Sequence, residues 1–260
     1  MLSRKTFAIP YAIFLLSFVV TPLVLIVIYS FTTPDFKLTL ENYGTIFTAS
    51  NMNTLVVSLF IAVICTAICL LIGYPLAYLL ADRKVNKSKA FVYFFVMPMW
   101  INFVLRTAAT RDLLSWMGIS GGEQPYLTTM IGMVYNYLPF VILPLYTTMI
   151  KMDRNLIEAS MDLGANRRQT FFKTIIPMTM PGIISAVSMV FMPTMSSYVI
   201  SDVMGERKIS LIGNIIQLYF DQIMWNMGSF VALILMAFIF IGMFITKDTQ
   251  KEEISRGSLW

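Results

Sequence analysis

The sequence contains no histidine among its 260 residues. It therefore lacks the side chain that most often serves as a general base, a metal ligand or a proton switch near neutral pH. Enzymes that use a Ser–His pair or an H-E-x-x-H zinc site are excluded. Residues 118–122 have the G-x-S-x-G spacing of a hydrolase nucleophile elbow, but no histidine can activate Ser120, and we interpret the segment as a turn.

Charge is also scarce, because only 13% of the residues are charged, whereas a soluble domain carries about 25%. Hydrophobic residues make up 57% of the chain, far more than one core of this size can bury. A disordered chain is excluded by the same composition, because disordered chains are polar and highly charged. The composition therefore predicts a membrane protein.

Only two cysteines are present, Cys65 and Cys69, and they lie four residues apart in an apolar segment. On a helix they share one face, where a disulfide between them is not expected. No further ligand of a suitable type lies near them, so a metal site is not expected either. We interpret both as small apolar packing residues.

Six apolar segments are long enough to cross about 30 Å of hydrocarbon as helices. This predicts an all-α membrane protein with a single domain over residues 1–260. A shorter segment, 209–220, is interrupted by polar residues and predicts an interfacial or re-entrant helix. The six predicted spans are 7–31, 54–81, 90–110, 130–150, 178–200 and 228–246.

The basic residues predict the orientation of these spans. Six spans place both termini on one side, and 14 of the 19 Lys and Arg residues lie on that side. The acidic residues divide evenly, seven on each side. Cytoplasmic loops are enriched in Lys and Arg, so both termini are expected in the cytoplasm. The net charge of +5 then reflects membrane orientation, and no nucleic-acid partner is expected.

The loop at 151–177, between the fourth and fifth spans, has a pattern of its own. Asn155 and Glu158 have the spacing of a capping box, which predicts the start of a short helix. Gly164 suits a left-handed stop at the end of that helix. A second helix is expected from about residue 167 to 176, ending ahead of Pro177.

The same loop resembles the EAA loop of ABC-importer permeases, whose pattern places a glycine and a proline at fixed distances after Glu-Ala-Ala. Ser160, Thr174 and Ile176 depart mildly from that pattern. The resemblance implies that the loop forms coupling helices that dock on an ATPase subunit. From the residues alone, Glu158 could equally be a capping residue without an outside partner. The coupling residues implied are Glu158, Ala159, Ser160, Leu163, Gly164, Ala165 and Pro177.

A wider resemblance covers most of the chain from the second span to Phe220. The segments LIGYPLAYLLA, MPMWINFVLRT, PMTMPGIISAV and YVISDVMG are similar to those of the membrane subunits of spermidine/putrescine importers. The resemblance implies a type I ABC importer permease with a MetI-like fold in a bacterial inner membrane. It further implies a second permease subunit, two ATP-binding subunits, an extracytoplasmic polyamine-binding protein and a polyamine substrate.

No cofactor and no enzymatic activity are expected of the chain itself. It has no G-x-x-x-x-G-K-[ST] segment to cradle phosphates, so ATP and Mg²⁺ are expected on the ATP-binding subunits. Two alternatives remain at this stage. One is a permease for another small organic cation or solute, and the other is a secondary transporter that works alone.

A polyamine path requires carboxylates and aromatic faces, because the substrate is a multiple cation. Asp202 is the first candidate, with Tyr198 four residues earlier on the same helical face; its alternative is an ordinary interfacial residue. Arg106 is expected to pair with Asp112, with Asp202 or with the second permease subunit. The predicted pathway residues are Trp100, Asn102, Tyr135, Tyr198 and Asp202.

Overall fold

The computed structural model describes residues 4–40, 42, 44, 48–82 and 90–257, and the regular elements within those ranges are helices. Two of the helices are interrupted by π-helical turns, at Leu16–Val20 and Phe171–Ile175, and a 3-10 turn covers Met97–Trp100. The helices are α1 (Arg4–Leu15), α2 (Thr21–Ser30), α3 (Ala49–Ala81), α4 (Ala90–Val96), α5 (Phe103–Trp116), α6 (Pro125–Met149), α7 (Arg154–Asp162), α8 (Arg167–Thr170), α9 (Ile176–Met195), α10 (Tyr198–Met204), α11 (Ile212–Asp221) and α12 (Trp225–Gly257).

Five helical segments in the described ranges are long and apolar enough to cross a membrane, and a sixth is formed if one bent pair counts as a span. The all-α fold is confirmed. The five segments are Ile9–Ser30, Ser50–Ala81, Pro125–Met149, Arg167–Met195 and Trp225–Met243. The predicted short helix at 209–220 is present as α11.

The predicted third span, 90–110, is not one helix. The chain bends by 101° between Phe91–Trp100 and Phe103–Trp116. Asn102 starts the second helix, because its side-chain oxygen accepts hydrogen bonds from the backbone N–H groups of Val104 (2.9 Å) and Leu105 (3.4 Å). Pro98 precedes the bend and the new N-cap follows it, so the direction of the chain changes here.

Helices α3, α6 and α9 pack together as the centre of the bundle. Glycines allow the close approach, since a Cβ atom on Gly73 would lie 2.7 Å from Val141, and one on Gly182 would lie 2.7 Å from Thr148. Cys65 and Cys69 are free and fully buried in this core. Their predicted use as packing residues is confirmed.

Each π-helical turn lies just before a proline. The N–H of Thr21 bonds to the carbonyl of Leu16 ahead of Pro22, and the N–H of Ile176 bonds to the carbonyl of Phe171 ahead of Pro177. A proline ring clashes with the carbonyl four residues earlier, and a wider turn relieves that clash. The helix therefore continues through Pro177, and the prediction that it ends there is wrong.

The first span attaches to the bundle at its last turn. The apolar part of Ile9–Ser30 is not buried in the bundle, but carbonyl groups at and just after the end of α2 accept hydrogen bonds from two asparagine side chains. Asn226, at the start of α12, donates to the carbonyl oxygens of Tyr29 (3.1 Å) and Thr32 (2.7 Å). Asn42 donates to the carbonyls of Ser30 and Thr32. These amides satisfy carbonyls that the end of a helix leaves without partners.

We expect Asn226→Leu to lower the free energy of unfolding by about 1–3 kcal/mol, because buried carbonyls lose their donor. Thermal unfolding of the purified protein in detergent measures the change, and proteolysis of the loop after α2 should become faster. Gln222→Leu is the control, since that side chain is exposed nearby. Equal melting temperatures for the two variants would contradict this role of Asn226.

Candidate functional site

The predicted coupling loop contains α7 and α8 at the end of the bundle that carries Arg154, Arg167 and Arg168, which we call the basic end. Asp153 starts α7, because its carboxylate accepts the N–H of Asn155 at 3.0 Å. The predicted capping box of Asn155 and Glu158 is therefore wrong, since the helix begins one residue before Asn155. The capping box of this loop starts α8 instead, where Asn166 and Gln169 exchange two bonds of 2.9 Å.

Gly164 ends α7 in the left-handed conformation, with φ at +90°. Its N–H bonds to the carbonyl of Met161 (2.9 Å), and the N–H of Ala165 bonds to the carbonyl of Ser160 (3.2 Å). This pair of bonds is a Schellman motif. The predicted left-handed stop is confirmed, and open space surrounds the position where a Cβ atom would lie.

Apolar side chains of α7 and its C-terminal turn are exposed. Leu156 is 51% exposed, Met161 43% and Leu163 90%. Glu158 and Ala159 are exposed between them. A soluble surface rarely keeps apolar side chains this close together unless a partner covers them. Among the predicted coupling residues, Ala159 and Leu163 therefore lie with Leu156 on one uncovered face at the basic end, which we call the exposed patch. Glu158 and Met161 lie on the other side of α7, where they line a cavity of about 200 Å³ beside the end of α3.

The two polar departures from the EAA pattern contact each other. The Thr174 hydroxyl donates to the Ser160 hydroxyl at 3.2 Å, and Thr170 lies 3.5 Å from the same Ser160 oxygen. Ser160 therefore faces the helix that follows, whereas Leu163 faces outward and Glu158 borders the cavity beside the end of α3. These hydroxyl bonds fix the angle between α7 and the start of the fifth span.

Two contacts attach the loop to the end of α3. The Phe171 ring meets the edges of Tyr74 and Tyr78, with centroids 5.8 and 6.3 Å apart. Arg154 bonds to the carbonyl of Ala81 at 3.0 Å and to the carboxylate of Asp82 at 3.4 Å. These contacts join the loop to one of the central helices.

The opposite end of the bundle contains a cavity of about 380 Å³ between α5, α6 and the α9–α10 junction. Arg106 and Asn136 lie on its wall, and Tyr137 bonds to Ser197 across it. We call it the first cavity. Its lining residues are Met99, Phe103, Arg106, Asn136, Tyr137, Phe140, Pro193, Ser196, Ser197, Tyr198, Val199 and Ile200.

Arg106 is buried, with 7% exposed, and neutral groups hold it. Its Nε and Nη2 atoms donate to the Asn136 side-chain oxygen at 2.9 and 2.7 Å, and Nη1 donates to the carbonyl of Pro98. The guanidinium also lies 5.5 Å from the centre of the Tyr135 ring. The expected salt bridges with Asp112 or Asp202 are not formed, because Asp112 pairs with Arg111 at 2.7 Å and Asp202 lies elsewhere.

Asp202 lines a second cavity of about 350 Å³, between α10 and α11. Its carboxylate accepts a hydrogen bond of 2.6 Å from Asn214. Burial raises the pKa of the Asp202 carboxyl above its usual value, although Arg207 and Asn214 act in the opposite direction. Asp221 also lines this cavity, where Gln217 donates to it at 2.8 Å.

Tyr198 and Asp202 therefore line different cavities, and their use in one substrate path stays a prediction. Their spacing on α10 is correct, but Asn214 of α11 binds the carboxylate, whereas the ring borders the first cavity. Trp100 is 89% exposed beside the bend, and Tyr135 is 42% exposed over Arg106. Asn102 caps α5.

Asn136 and Ser197 are the main polar residues of the first cavity that the sequence reasoning missed. Asn136 is 3% exposed, and its amide nitrogen donates to Thr107 (3.1 Å) and to the carbonyl of Gly132 (2.8 Å). An Asn inside an apolar span is a signal in itself, because a polar group in hydrocarbon needs partners. Within the described part of the chain, no group of three or more Cys, Asp or Glu side chains is arranged to hold a metal ion.

The architecture and these sites define a helical permease, with a loop exposed at one end and polar cavities at the other. The model of the family described as "Binding-protein-dependent transport system inner membrane component" matches residues 73–247. The chain belongs to this family, and it is a permease subunit of an ABC importer.

Relatives from two bacteria show the similarity in detail. The spermidine/putrescine transport system permease protein PotB of Haemophilus influenzae is 36% identical over 240 residues, covering 84% of each chain. The PotB protein of Escherichia coli is 36% identical over 236 residues, covering 83% of this chain and 86% of its own. The inner membrane ABC transporter permease protein YdcU of Escherichia coli is 29% identical, covering 82% and 75%.

Solved structures of low sequence identity share the fold. A chain of a bacterial alginate ABC transporter, in complex with a periplasmic protein that binds an alginate pentasaccharide, has a TM-score of 0.67 at 12% identity. It covers 95% of this chain and 93% of its own. A chain of the MetNI methionine ABC transporter has a TM-score of 0.59 at 19% identity, covering 80% and 99%. The expected ABC permease fold is confirmed.

Proposed function

We propose that this chain is the permease subunit of an ATP-driven importer of spermidine or putrescine, and that it forms half of the translocation path. The observation that carries the substrate is the similarity to PotB proteins, which extends over more than four fifths of the chain. The exposed patch of α7 supports the energy coupling, because it is uncovered and attached to the central helices.

The exposed patch docks in a cleft of an ATP-binding subunit. Leu163 and Leu156 supply apolar surface, and the exposed Glu158 supplies charge at the cavity beside α3. Gly164 sets the direction of the chain after α7. Ser160 faces the helical segment Arg167–Met195, and Pro177 lies within that segment. ATP and Mg²⁺ are bound by two such subunits, and this chain holds no cofactor.

The basic end faces the cytoplasm, together with both termini. This orientation is supported by the distribution of Lys and Arg, of which Arg154, Arg167 and Arg168 are exposed around α7 and α8. The opposite end then faces the extracytoplasmic binding protein that delivers the substrate. A second permease subunit completes the path.

The second cavity is the proposed contact for an amino group of the polyamine. Asp202 and Asp221 provide two carboxylates there against the single cation of Arg207, and Asn214, Gln217 and Ser210 provide further polar groups. A bound ammonium group would offset the cost of burying the Asp202 carboxylate. The aromatic side chains of Tyr198, Tyr135 and Trp100 lie at the first cavity and beside Arg106, so they are not part of this ammonium site, and Asn102 holds the bend there.

The function is tested by purifying the chain together with its companion subunits and reconstituting the complex in liposomes. Uptake of labelled spermidine or putrescine that requires ATP, the binding protein and both permeases is the expected result. Uptake by the isolated chain, or a complex that transports neither polyamine, would overturn the proposal.

We expect Asp202→Asn to reduce polyamine uptake about tenfold while the complex still assembles. The loss of one charge contact in a partly desolvated site corresponds to roughly 1–2 kcal/mol. Initial uptake rates over a range of substrate concentrations measure the effect. Asp112→Asn is the matched control, because that carboxylate lies at the same end but is exposed and paired with Arg111. Equal uptake by both variants would leave Asp202 as an interfacial residue.

A further inference from the structure

Arg106 is a buried charge without a counter-ion among the described side chains. Its contacts there use three of the five N–H groups, and every acceptor is neutral. A guanidinium removed from water is costly unless a carboxylate or phosphate pairs with it. The two remaining N–H groups are therefore available on the wall of the first cavity.

The two carboxylates that the sequence offers to Arg106 are engaged elsewhere. Asp112 accepts two hydrogen bonds from Arg111 at one oxygen, Oδ1, at 3.0 and 2.7 Å. Asp202 accepts its bond from Asn214 and lines the second cavity. Two of the three partners that the sequence allows for Arg106 are thus removed by the structure, and the partner outside the chain remains.

The first cavity has room and chemistry for an acidic side chain. It holds about 380 Å³, and Ser196, Ser197 and Tyr198 line it together with Arg106. Its rim is apolar and uncovered, since Trp100 is 89% and Phe103 48% exposed. A buried arginine surrounded by exposed aromatic side chains is the composition typical of protein interface centres.

A polyamine is the wrong occupant for this cavity, because its ammonium groups would be repelled by Arg106. We propose that the first cavity binds an Asp or Glu side chain of the second permease subunit, and that Arg106 is its counter-ion. The proposal rests on the pairing of two permeases stated above. The salt bridge then places the bend at 101–102 on the interface between the two halves of the path.

The test uses Arg106→Lys in the complete transporter. A membrane-permeant carbodiimide adds to a carboxyl group to form an O-acylisourea, and a neighbouring amine then attacks the acyl carbon, so that the amide forms and the carbodiimide leaves as its urea. We expect a covalent product of the two permeases with Arg106→Lys, and none with Arg106→Gln. Mass spectrometry should map the link to residue 106 and to one acidic residue of the second permease.

A second variant covers the case in which Arg106→Lys does not assemble. With p-benzoylphenylalanine in place of Trp100, illumination should link the rim to the second permease, whereas linkage to phospholipid alone would overturn the proposal. An assembled Arg106→Lys complex without the amide, or with an amide within this chain, would also overturn it. Spermidine uptake by the wild-type complex is measured separately, so failure of the substrate assignment is distinguishable from failure of this interface.

Discussion

Gly164→Trp is expected to abolish polyamine uptake and to weaken binding of the ATP-binding subunits. A tryptophan at φ +90° forces an L residue into the left-handed region at a cost of about 1–2 kcal/mol, and it adds a large ring beside Leu163. The ring would project into open space, which is the space that a docked subunit occupies in our proposal. We expect uptake to fall more than tenfold, because a displacement of the docked surface disrupts coupling.

The measurement is ATP hydrolysis and uptake in the same proteoliposomes, with subunit stoichiometry after purification. Gly118→Trp is the matched control, because Gly118 has φ at +83°, also with open space around it, but lies between α5 and α6 at the opposite end. Both variants carry the same backbone strain. If Gly118→Trp impairs coupling as strongly as Gly164→Trp, the effect is strain alone, and the docking role of the exposed patch is contradicted.

Asn136→Leu is expected to lower the free energy of unfolding by about 3–5 kcal/mol, because it leaves the Arg106 charge buried without its principal acceptor. Asn136 accepts two bonds from that guanidinium and donates two more, so a leucine removes four hydrogen bonds at once. The yield of assembled complex and its thermal unfolding in detergent measure the effect.

The double variant Asn136→Leu with Arg106→Met supplies the control. Removing the charge together with its acceptor leaves an apolar pair, so most of the lost stability should return. The same double variant should remain unable to form the proposed salt bridge with the second permease. Equal destabilisation of the single and the double variant would show that Asn136 acts through Thr107 and Gly132 rather than through Arg106.

The spans and the left-handed stop at Gly164 were predictable, because each depends on local sequence. An apolar run of about 20 residues has few alternatives to a membrane helix, and a glycine after a helical stripe suits a C-terminal stop. The hydrogen bonds between Asn136 and Arg106 could be predicted only in part. Asn136 and Arg106 each signal a partner, but they are 30 residues apart, and only the packing of α5 on α6 brings them together.

The errors arose where neighbouring elements decide the outcome. Asn155 and Glu158 have an acceptable capping pattern, but Asp153 caps the start of α7, because the Asp153 carboxylate accepts the N–H of Asn155. Pro177 does not end a helix, since the π-helical turn before it removes the clash. Asp202 and Tyr198 have helical spacing, yet Asn214 of α11 binds the Asp202 carboxylate, whereas Tyr198 lines the first cavity.

The helical segment from Arg167 to Met195 has a mechanical consequence for the transporter. Its 29 residues span about 43 Å at ~1.5 Å per residue, whereas the hydrocarbon layer is about 30 Å thick. The Arg167 end therefore extends beyond the bilayer beside the exposed patch. The Met195 end lies next to Ser196 and Ser197 of the first cavity. A rod of this length that tilts by about 5° around its middle moves both tips by roughly 2 Å in opposite directions. If an ATP-binding subunit docks as proposed, the segment would act as a lever, and a push at its basic end would become a displacement at the far side of the membrane.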